Sequence, residues 1–534
     1  MSKPDQAERA GNGARIGRAF LPLCLAVSVL ATLALWQMTT QPLGQVVVIA
    51  CWPVLFNLVW MIGLHWKYLR HNPSPLTHDR RDQWPDVAVI IPSRNEPLAV
   101  ATMTLDCALA QDYPGELEIC VVDNSDPGGG LDQWRELLAK RAGQLPPGRS
   151  LRFIHRNGTE GFKPRNLDLG VKATSAPWVL FLDVDSTIDA DALSRAMGEL
   201  AENSEVGFAQ LHTLPGNASA SRLAGALAVV QAIDRSVLGI RFCGGFPVFY
   251  GHNGLWRRQA LEDIGHWEER YPFPERLTGW PGWLLRRLGW KDLPTGAERS
   301  EVLVTEDIAA SWRALDSGWQ AQALWIASGE WVPISLKELR RQWTRWSVGT
   351  FQVSLVYGPA TLRARHLSWL QRVDFFHHLL FYVSRALVPL FALAAVVLAE
   401  PAIGIISLVG MAASLPAWIG WWQKNQDSRS LPALLLAALP LGAVISLIIA
   451  RASLRMLIRI PQDWEPTGKL PARARPWLVV MLANLDLLLV GLGCLLAGLW
   501  RLPGGPLWSA LPAMILGLSL LLAIGLFGRG GGKR

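Results

Sequence analysis

Four acidic residues and one aromatic stretch carry the residue types that could do chemistry in this 534-residue chain: Asp123 in VVDNSD, Asp183 and Asp185 in FLDVDS, Asp307 in VTEDIA, and then Gln342, Arg345 and Trp346 in RQWTRW. An Asp that ends a strand is often only a turn former. If the strand through FLDVDS stays extended to Asp185, however, the side chains of Asp183 and Asp185 project to one side and bring two hard oxygen ligands together. Such a pair, with little nitrogen or sulfur nearby, suits Mg²⁺ or Mn²⁺ holding a diphosphate. Asp307, with Thr305 and Glu306, precedes a helical pattern whose N-terminus favours acidic residues in any case. Helical spacing gathers Gln342, Arg345 and Trp346 on one face, an amide, a guanidinium and a stacking surface together. The same segment also reads as an amphipathic helix lying on a membrane, with Lys337, Arg340 and Arg341 toward headgroups and Trp343 in the interface. The two readings are compatible.

These residues need a scaffold at strand ends, and the sequence supplies one. From Val87 onward, short β-rich runs (VAVII, LEICVVD, LRFIH, WVLFLDVD) alternate with helical patterns through ATMTLDCALA and near 131 to 141, which predicts a doubly wound, mainly parallel α/β sheet. Ligands of such sheets bind beyond the carboxyl ends of the strands, where Asp123, Asp183 and Asp185 fall. Around this block lie apolar runs near 18 to 38, 44 to 65, 374 to 399, 403 to 422, 431 to 450, 477 to 500 and 506 to 527, each long enough to cross a bilayer of roughly 30 Å. None is expected between about 85 and 350. The first run is long, lacks a clear cleavage site and is soon followed by the second, so both should persist as a hairpin.

Half of the residues are hydrophobic and the formal net charge is +8. Many Lys and Arg lie beside apolar runs, which favours a membrane surface over nucleic acid as the partner. Six cysteines without a CxxC pair indicate neither a zinc site nor a disulfide framework. Basic residues before the first run, after the second, and again at 451 to 475 place those segments on the cytoplasmic side. That requires an even number of crossings between 370 and 455, where three runs lie. The run at 431 to 450, interrupted by Pro440, is the one expected to lie in the interface or re-enter.

The order of the motifs, with membrane runs on both flanks, resembles the processive family 2 glycosyltransferases, the group of cellulose, chitin and hyaluronan synthases, over residues from about 85 to 470. The resemblance implies a GT-A-like domain at 85–350, set between an N-terminal hairpin (1–84) and a transmembrane bundle (351–534) with a cytosolic loop near 455–476. It implies an inverting enzyme that moves a sugar, with glucose expected, from a UDP-sugar to a growing β-linked polysaccharide and passes the product across a bacterial inner membrane. Asp307 would be the base, with Glu306 beside it at the acceptor. Asp123 would contact the uracil or ribose; Lys163, in HRNGTEGFKPRNLDLG, would lie near the nucleotide, with Asn166 shaping the loop. Asp183 and Asp185 would hold Mg²⁺ or Mn²⁺, Gln342 and Arg345 the pyrophosphate, and Trp346 the acceptor. His252 and Asn253 of FYGHNGLWRRQAL would touch the acceptor, although Gly-His-Asn departs from the cysteine-containing version of cellulose synthases. WEPTGK resembles a gating loop, with Trp464, Thr467 and Lys469 closing over the nucleotide.

The stretch between Asn253 and Thr305 is longer than the family suggests and, with Trp280, Trp283 and Trp290, reads as an insertion dipping into the interface. Only GRGGGKR follows the last run, so control by a cyclic dinucleotide through an appended domain is not expected. Two alternatives stay open: a non-processive enzyme making a glycolipid, and a non-catalytic polysaccharide export subunit. A glycan or lipid acceptor, membrane lipids and an accessory export subunit are the expected partners, and nucleic acid is not.

Overall fold

The computed structural model describes residues 19–71, 83–127, 130–272, 300–425, 431–457 and 476–529. The expected gating residues Trp464, Thr467 and Lys469, and Trp280, Trp283 and Trp290 of the insertion, lie outside the described residues. Three apolar helices open the chain, α1 (Phe20–Gln37), α2 (Pro42–Ala50) and α3 (Trp52–Arg70). An α/β unit follows: β1 (Val87–Ser93), α4 (Leu98–Leu109), β2 (Leu117–Asp123), α5 (Gly130–Ala142), β3 (Arg149–His155), α6 (Phe162–Ala173), β4 (Trp178–Phe181), β5 (Thr187–Ile188), α7 (Ala192–Leu200), β6 (Val206–Pro215), α8 (Arg222–Arg241), β7 (Gly254–Arg257), α9 (Arg258–Ile264), β8 (Arg270–Pro272), β9 (Ser300–Val302), α10 (Glu306–Asp316) and β10 (Gln320–Glu330). Helices complete it: α11 (Leu336–Thr361), α12 (Trp369–Leu398), α13 (Pro401–Ala412), α14 (Leu415–Asn425), α15 (Leu431–Leu457), α16 (Trp477–Ala483), α17 (Leu485–Arg501) and α18 (Leu507–Phe527).

The main sheet has the order β3-β2-β1-β4-β7-β6-β10-β5. Strands β3, β2, β1 and β4 are parallel, whereas β7 pairs antiparallel with both β4 and β6, so the sheet is mixed where a mainly parallel one was expected. The chain winds outward from β1 through β2 to β3, then returns to the other side of β1 as β4, which opens a crevice between the carboxyl ends of β1 and β4. β1 is buried along its whole length, as a near-continuous apolar run covered on both faces must be. One core layer packs α4, α5 and α7 on one face of the sheet, and Phe181, Phe208, Phe249, Trp256 and Trp267 build the layer on the other.

β4 stops at Phe181, not at Asp185. The two aspartates therefore sit in a turn: the Ser186 amide donates to the Asp183 carbonyl at 2.9 Å, and the Ser186 hydroxyl meets the Asp183 amide at 3.1 Å. Thr104 of α4, fully buried, pins this turn by donating to the Ser186 carbonyl at 2.9 Å. A second correction concerns α8, an apolar 20-residue helix inside the stretch expected to hold none. Its Leu223, Leu227 and Ile233 share one core with Leu441, Ile445 and Ile448 of α15 and Leu516 and Leu520 of α18, so it joins the α/β unit to the helical bundle. Its charged residues Asp234, Arg235 and Arg241, with Arg222 at its start, hid the apolar pattern from a search for uninterrupted runs.

Eight helical segments among the described residues are long and apolar enough to cross a membrane, consistent with a multi-pass membrane protein. The 431 to 450 run is not interrupted at Pro440; α15 passes through it as one 27-residue helix. Breaks fall instead between α13 and α14, at Cys51 between α2 and α3, and at Asn484 between α16 and α17. α11 crosses the domain limit expected at residue 350.

Candidate active site

A cleft of about 290 Å³ opens at the carboxyl ends of β1 and β4 and is roofed by α11. Its chemistry begins at the start of α6, where Gly161 (φ +71°) and Phe162 (φ +46°) both take the left-handed conformation. A bulky residue there is a backbone outlier, and the strain turns Lys163 inward. The Lys163 ammonium lies 2.6 Å from Asp183 Oδ1 and donates to the Gly251 carbonyl at 3.0 Å. It thereby ties the aspartate turn to the Gly-His-Asn loop. Burial alone would lower the Lys163 pKa, but Asp183 and Glu306 outweigh it and raise it, so the ammonium stays charged.

Asp307 occupies the first turn of α10, and its Oδ1 accepts from the Ile308 amide at 2.8 Å. Gly251 (φ +84°) passes so close that a Cβ there would stand 3.2 Å from Asp307 Oδ2. Burial raises the Asp307 pKa against the opposing Ile308 amide and Lys163. Glu306 is pushed up to about 7, by burial first and then by Asp307, with Lys163 opposing. α11 reaches this turn through Gly349, where a Cβ would fall 2.7 Å from Thr305 Oγ1. That close approach brings Gln342, Arg345 and Trp346 to the cleft, with Trp343 edge-on to Trp346 at 5.3 Å.

The sequence reasoning missed the group opposite Asp307. Glu330, at the end of β10, receives Arg235 Nε at 3.0 Å and an Arg235 terminal nitrogen at 3.2 Å, and it lies 3.0 Å from His252 Nε2. Burial would raise the Glu330 pKa, but Arg235 and His252 hold it well below the usual carboxylate range. His252 is raised in turn: burial lowers it, and Glu330 more than compensates. Among the described residues its Nδ1 is buried without a hydrogen-bond partner, and the residue lines the cleft. An acidic residue ending a strand was the available signal for Glu330; Arg235, within an apolar helix, gave none.

Two expected residues face elsewhere. Asp123 is fully buried, accepting from the Ser125 amide at 3.0 Å and hydroxyl at 2.7 Å, with His155 Nδ1 at 3.2 Å; its neighbour Asn124 lines the cleft in its place. Asn253 is also fully buried, and its amide nitrogen bridges to Ser328 Oγ at 3.1 Å and the Gly329 carbonyl at 3.0 Å, so it ties β7 to β10. Lys163, Asp183, Asp185, His252, Glu306, Asp307, Gln342, Arg345 and Trp346 do meet at one cleft.

This constellation can be set against known proteins. The family described as glycosyl transferase family 2 matches residues 88–265, and that described as glycosyl transferase family group 2 matches residues 178–422. The chain carries glycosyltransferase family 2 domains. The poly-beta-1,6-N-acetyl-D-glucosamine synthase of Staphylococcus epidermidis is 23% identical to this glycosyltransferase over 332 residues, covering 59% of this chain and 68% of that one. The UDP-forming cellulose synthase catalytic subunit of Xanthomonas axonopodis pv. citri is 28% identical over 144 residues, 27% of this chain and 18% of that one. Among solved structures, the mannosyltransferase from Pyrobaculum calidifontis in complex with GDP-Man and Mn²⁺ is 19% identical, with TM-score 0.45, covering 76% of this chain and 98% of that one. The family 2 match at residues 88–265 falls on the α/β unit whose sheet carries the cleft.

Proposed function

We propose that this glycosyltransferase transfers a sugar, with inversion, from a UDP-sugar to a growing β-linked polysaccharide and conducts the product into its helical bundle. The observation that carries the reading is a shared wall. Met61, Asp234, Trp343, Trp346 and Phe381 line both the cleft and a second cavity of about 110 Å³, which continues among α3, α8, α12, α13 and α15. A glycan held against Trp346 at the mouth has a path into the bundle.

Asp307 is the base in this reading. It takes the proton from the acceptor hydroxyl as that oxygen bonds to the anomeric carbon, while the bond from that carbon to the diphosphate oxygen breaks and UDP leaves. Raised affinity for a proton suits Asp307 to that step. Gln342 and Arg345 hold the pyrophosphate, the guanidinium by charge-assisted hydrogen bonds. Asp183 and Asp185 fit Mg²⁺ or Mn²⁺ as a pair whose remaining ligands come from the diphosphate and water, since no larger cluster of ligating side chains stands among the described residues. The ion would supply charge neutralisation on the departing UDP. Lys163, paired with Asp183, holds that aspartate in place. His252 offers Nδ1–H to the acceptor. Asn124 and Asn166 take the uridine side, with Asp123 acting from behind by fixing the turn.

The donor sugars to test first are glucose, from the family resemblance, and N-acetylglucosamine, from the poly-N-acetylglucosamine synthases. The test measures UDP release and product length for the full chain in nanodiscs with each UDP-sugar and either metal. Asp307→Asn should lower the rate by roughly 10²- to 10⁴-fold while UDP still binds. A polymer lost in that variant supports the reading, a single-sugar lipid product would replace it with glycolipid synthesis, and equal activity in both proteins would remove Asp307 as the base.

A further inference from the structure

A third pocket, of about 280 Å³, lies among α11, α15 and α17, on the other side of α11 from the catalytic cleft. Arg340, Arg341, Arg345, Arg451 and Arg455 line it, and Asp486 is the sole carboxylate among its described lining residues. Asp486 is already shared: Arg340 pairs with one of its oxygens at 2.8 Å and Arg451 with the other at 2.5 Å. Burial lowers the Arg340 pKa and Arg451 lowers it further, with Asp486 opposing, which is the sign of crowded positive charge. Apart from Thr344, the remaining wall is apolar, from Leu447, Ile448, Ala452 and Leu487. A polar, strongly basic hollow with an apolar flank, set between apolar helices and an amphipathic one, matches the border of a membrane.

We propose that this pocket binds a phosphate-bearing anion, either the headgroup of an anionic membrane lipid or a free phosphate. Guanidinium forks match phosphate oxygens in geometry as well as charge, and basic pockets between membrane helices select anionic headgroups. Because Arg345 lines this pocket and the catalytic cleft alike, an anion here sets the position of a group that the cleft uses. Binding does not depend on which sugar the cleft takes.

The full-length protein in detergent, followed by native mass spectrometry and thermal shift, tests the assignment with two probes: dioleoylphosphatidylglycerol against dioleoylphosphatidylcholine, and inorganic phosphate. Wild type should retain phosphatidylglycerol over phosphatidylcholine, and R451Q/R455Q should retain it roughly tenfold less. R363Q/R365Q, which removes two charges from exposed positions elsewhere, should behave as wild type. Protection of wild type over R451Q/R455Q by inorganic phosphate, without a lipid preference, assigns the site to a soluble phosphate. Equal response of wild type and R451Q/R455Q to both probes overturns the proposal. Should that variant not fold, R451K/R455K, which keeps the charge and loses the fork, carries the same comparison with a smaller loss.

Discussion

Glu306 and Asp307 stand side by side in a buried turn, with the single ammonium of Lys163 acting on both. Two adjacent carboxyl groups under those conditions share the tendency to hold a proton. Glu306 has its pKa raised from an ordinary 4.5 to about 7. Between those values the folded chain keeps a proton that the unfolded chain has released, so stability falls as pH rises through that window and is lowest above it. Glu306→Gln removes this titration. Its melting temperature relative to wild type should therefore climb by roughly 2–4 °C between pH 5 and pH 7.5 in metal-free buffer. A difference that stays flat across that range would mean Glu306 is ionised throughout.

The catalytic cleft depends on how closely α11 approaches α10, and a single glycine sets that distance. At Gly349 an added Cβ would meet Thr305 Oγ1 at 2.7 Å, so Gly349→Ala must push α11 away from the turn that carries Asp307. A loss of about 1–3 kcal/mol in stability is expected from the overpacking, with kcat falling further than KM rises; unchanged kcat would show that the helix adapts. The sequence made α11 legible as an amphipathic helix with Gln342, Arg345 and Trp346 on one face. It did not reveal Gly349, because a glycine within a helix has the same spelling whether it faces lipid or a neighbouring turn. Likewise β1 and β2 were readable from unbroken apolar runs, but the end of β4 was not, since the turn at Asp183 is held by Thr104, some eighty residues earlier in the chain. Glu330 showed in the sequence only as an acidic residue ending a strand; its place at the cleft was hidden for the same reason, its partners Arg235 and His252 coming from α8 and the loop before β7.

α15 poses a further question of course. Lys424, at the end of α14, donates to the carbonyls of Tyr68 and His71 at 3.2 and 3.3 Å, and the His71 ring lies 4.9 Å from Trp325 of β10. Five residues then separate Asn425 from Leu431, a reach of roughly 20 Å. The other end of α15 is held by the Arg451–Asp486 pair beside α11. Both ends thus belong with the α/β unit, and α15 should run along that side without crossing. Thiol labelling of sealed vesicles, in a cysteine-depleted background, should find Leu431→Cys and Leu454→Cys on one face and Gln41→Cys on the other, because Gln41 bonds to Leu398 and Glu400 at the opposite helix ends. Labelling of the two α15 positions from opposite faces would make it a span.

At the scale of the whole molecule, the cleft, the bundle cavity and the arginine pocket share walls: Trp343 and Trp346 separate the first from the second, and Arg345 the first from the third. All three residues belong to α11, so a small rotation of one helix alters all three spaces together. Its N-terminal end is held twice, by Ser335 capping the start and by Arg340, in the opening turns, paired with Asp486. α8 adds a constraint of another kind. It follows β6 in the chain and carries Arg235 to Glu330, yet it buries its apolar side against helices contributed two hundred residues later. A fragment ending before α11 would carry that side bare into water and should be recovered only as aggregate, whereas the full chain in detergent should elute as a single species on gel filtration. The sugar-transferring half is consequently not a cassette: recombination that swaps it between relatives must exchange the bundle surface facing α8 as well, so the two halves are bound to be inherited together.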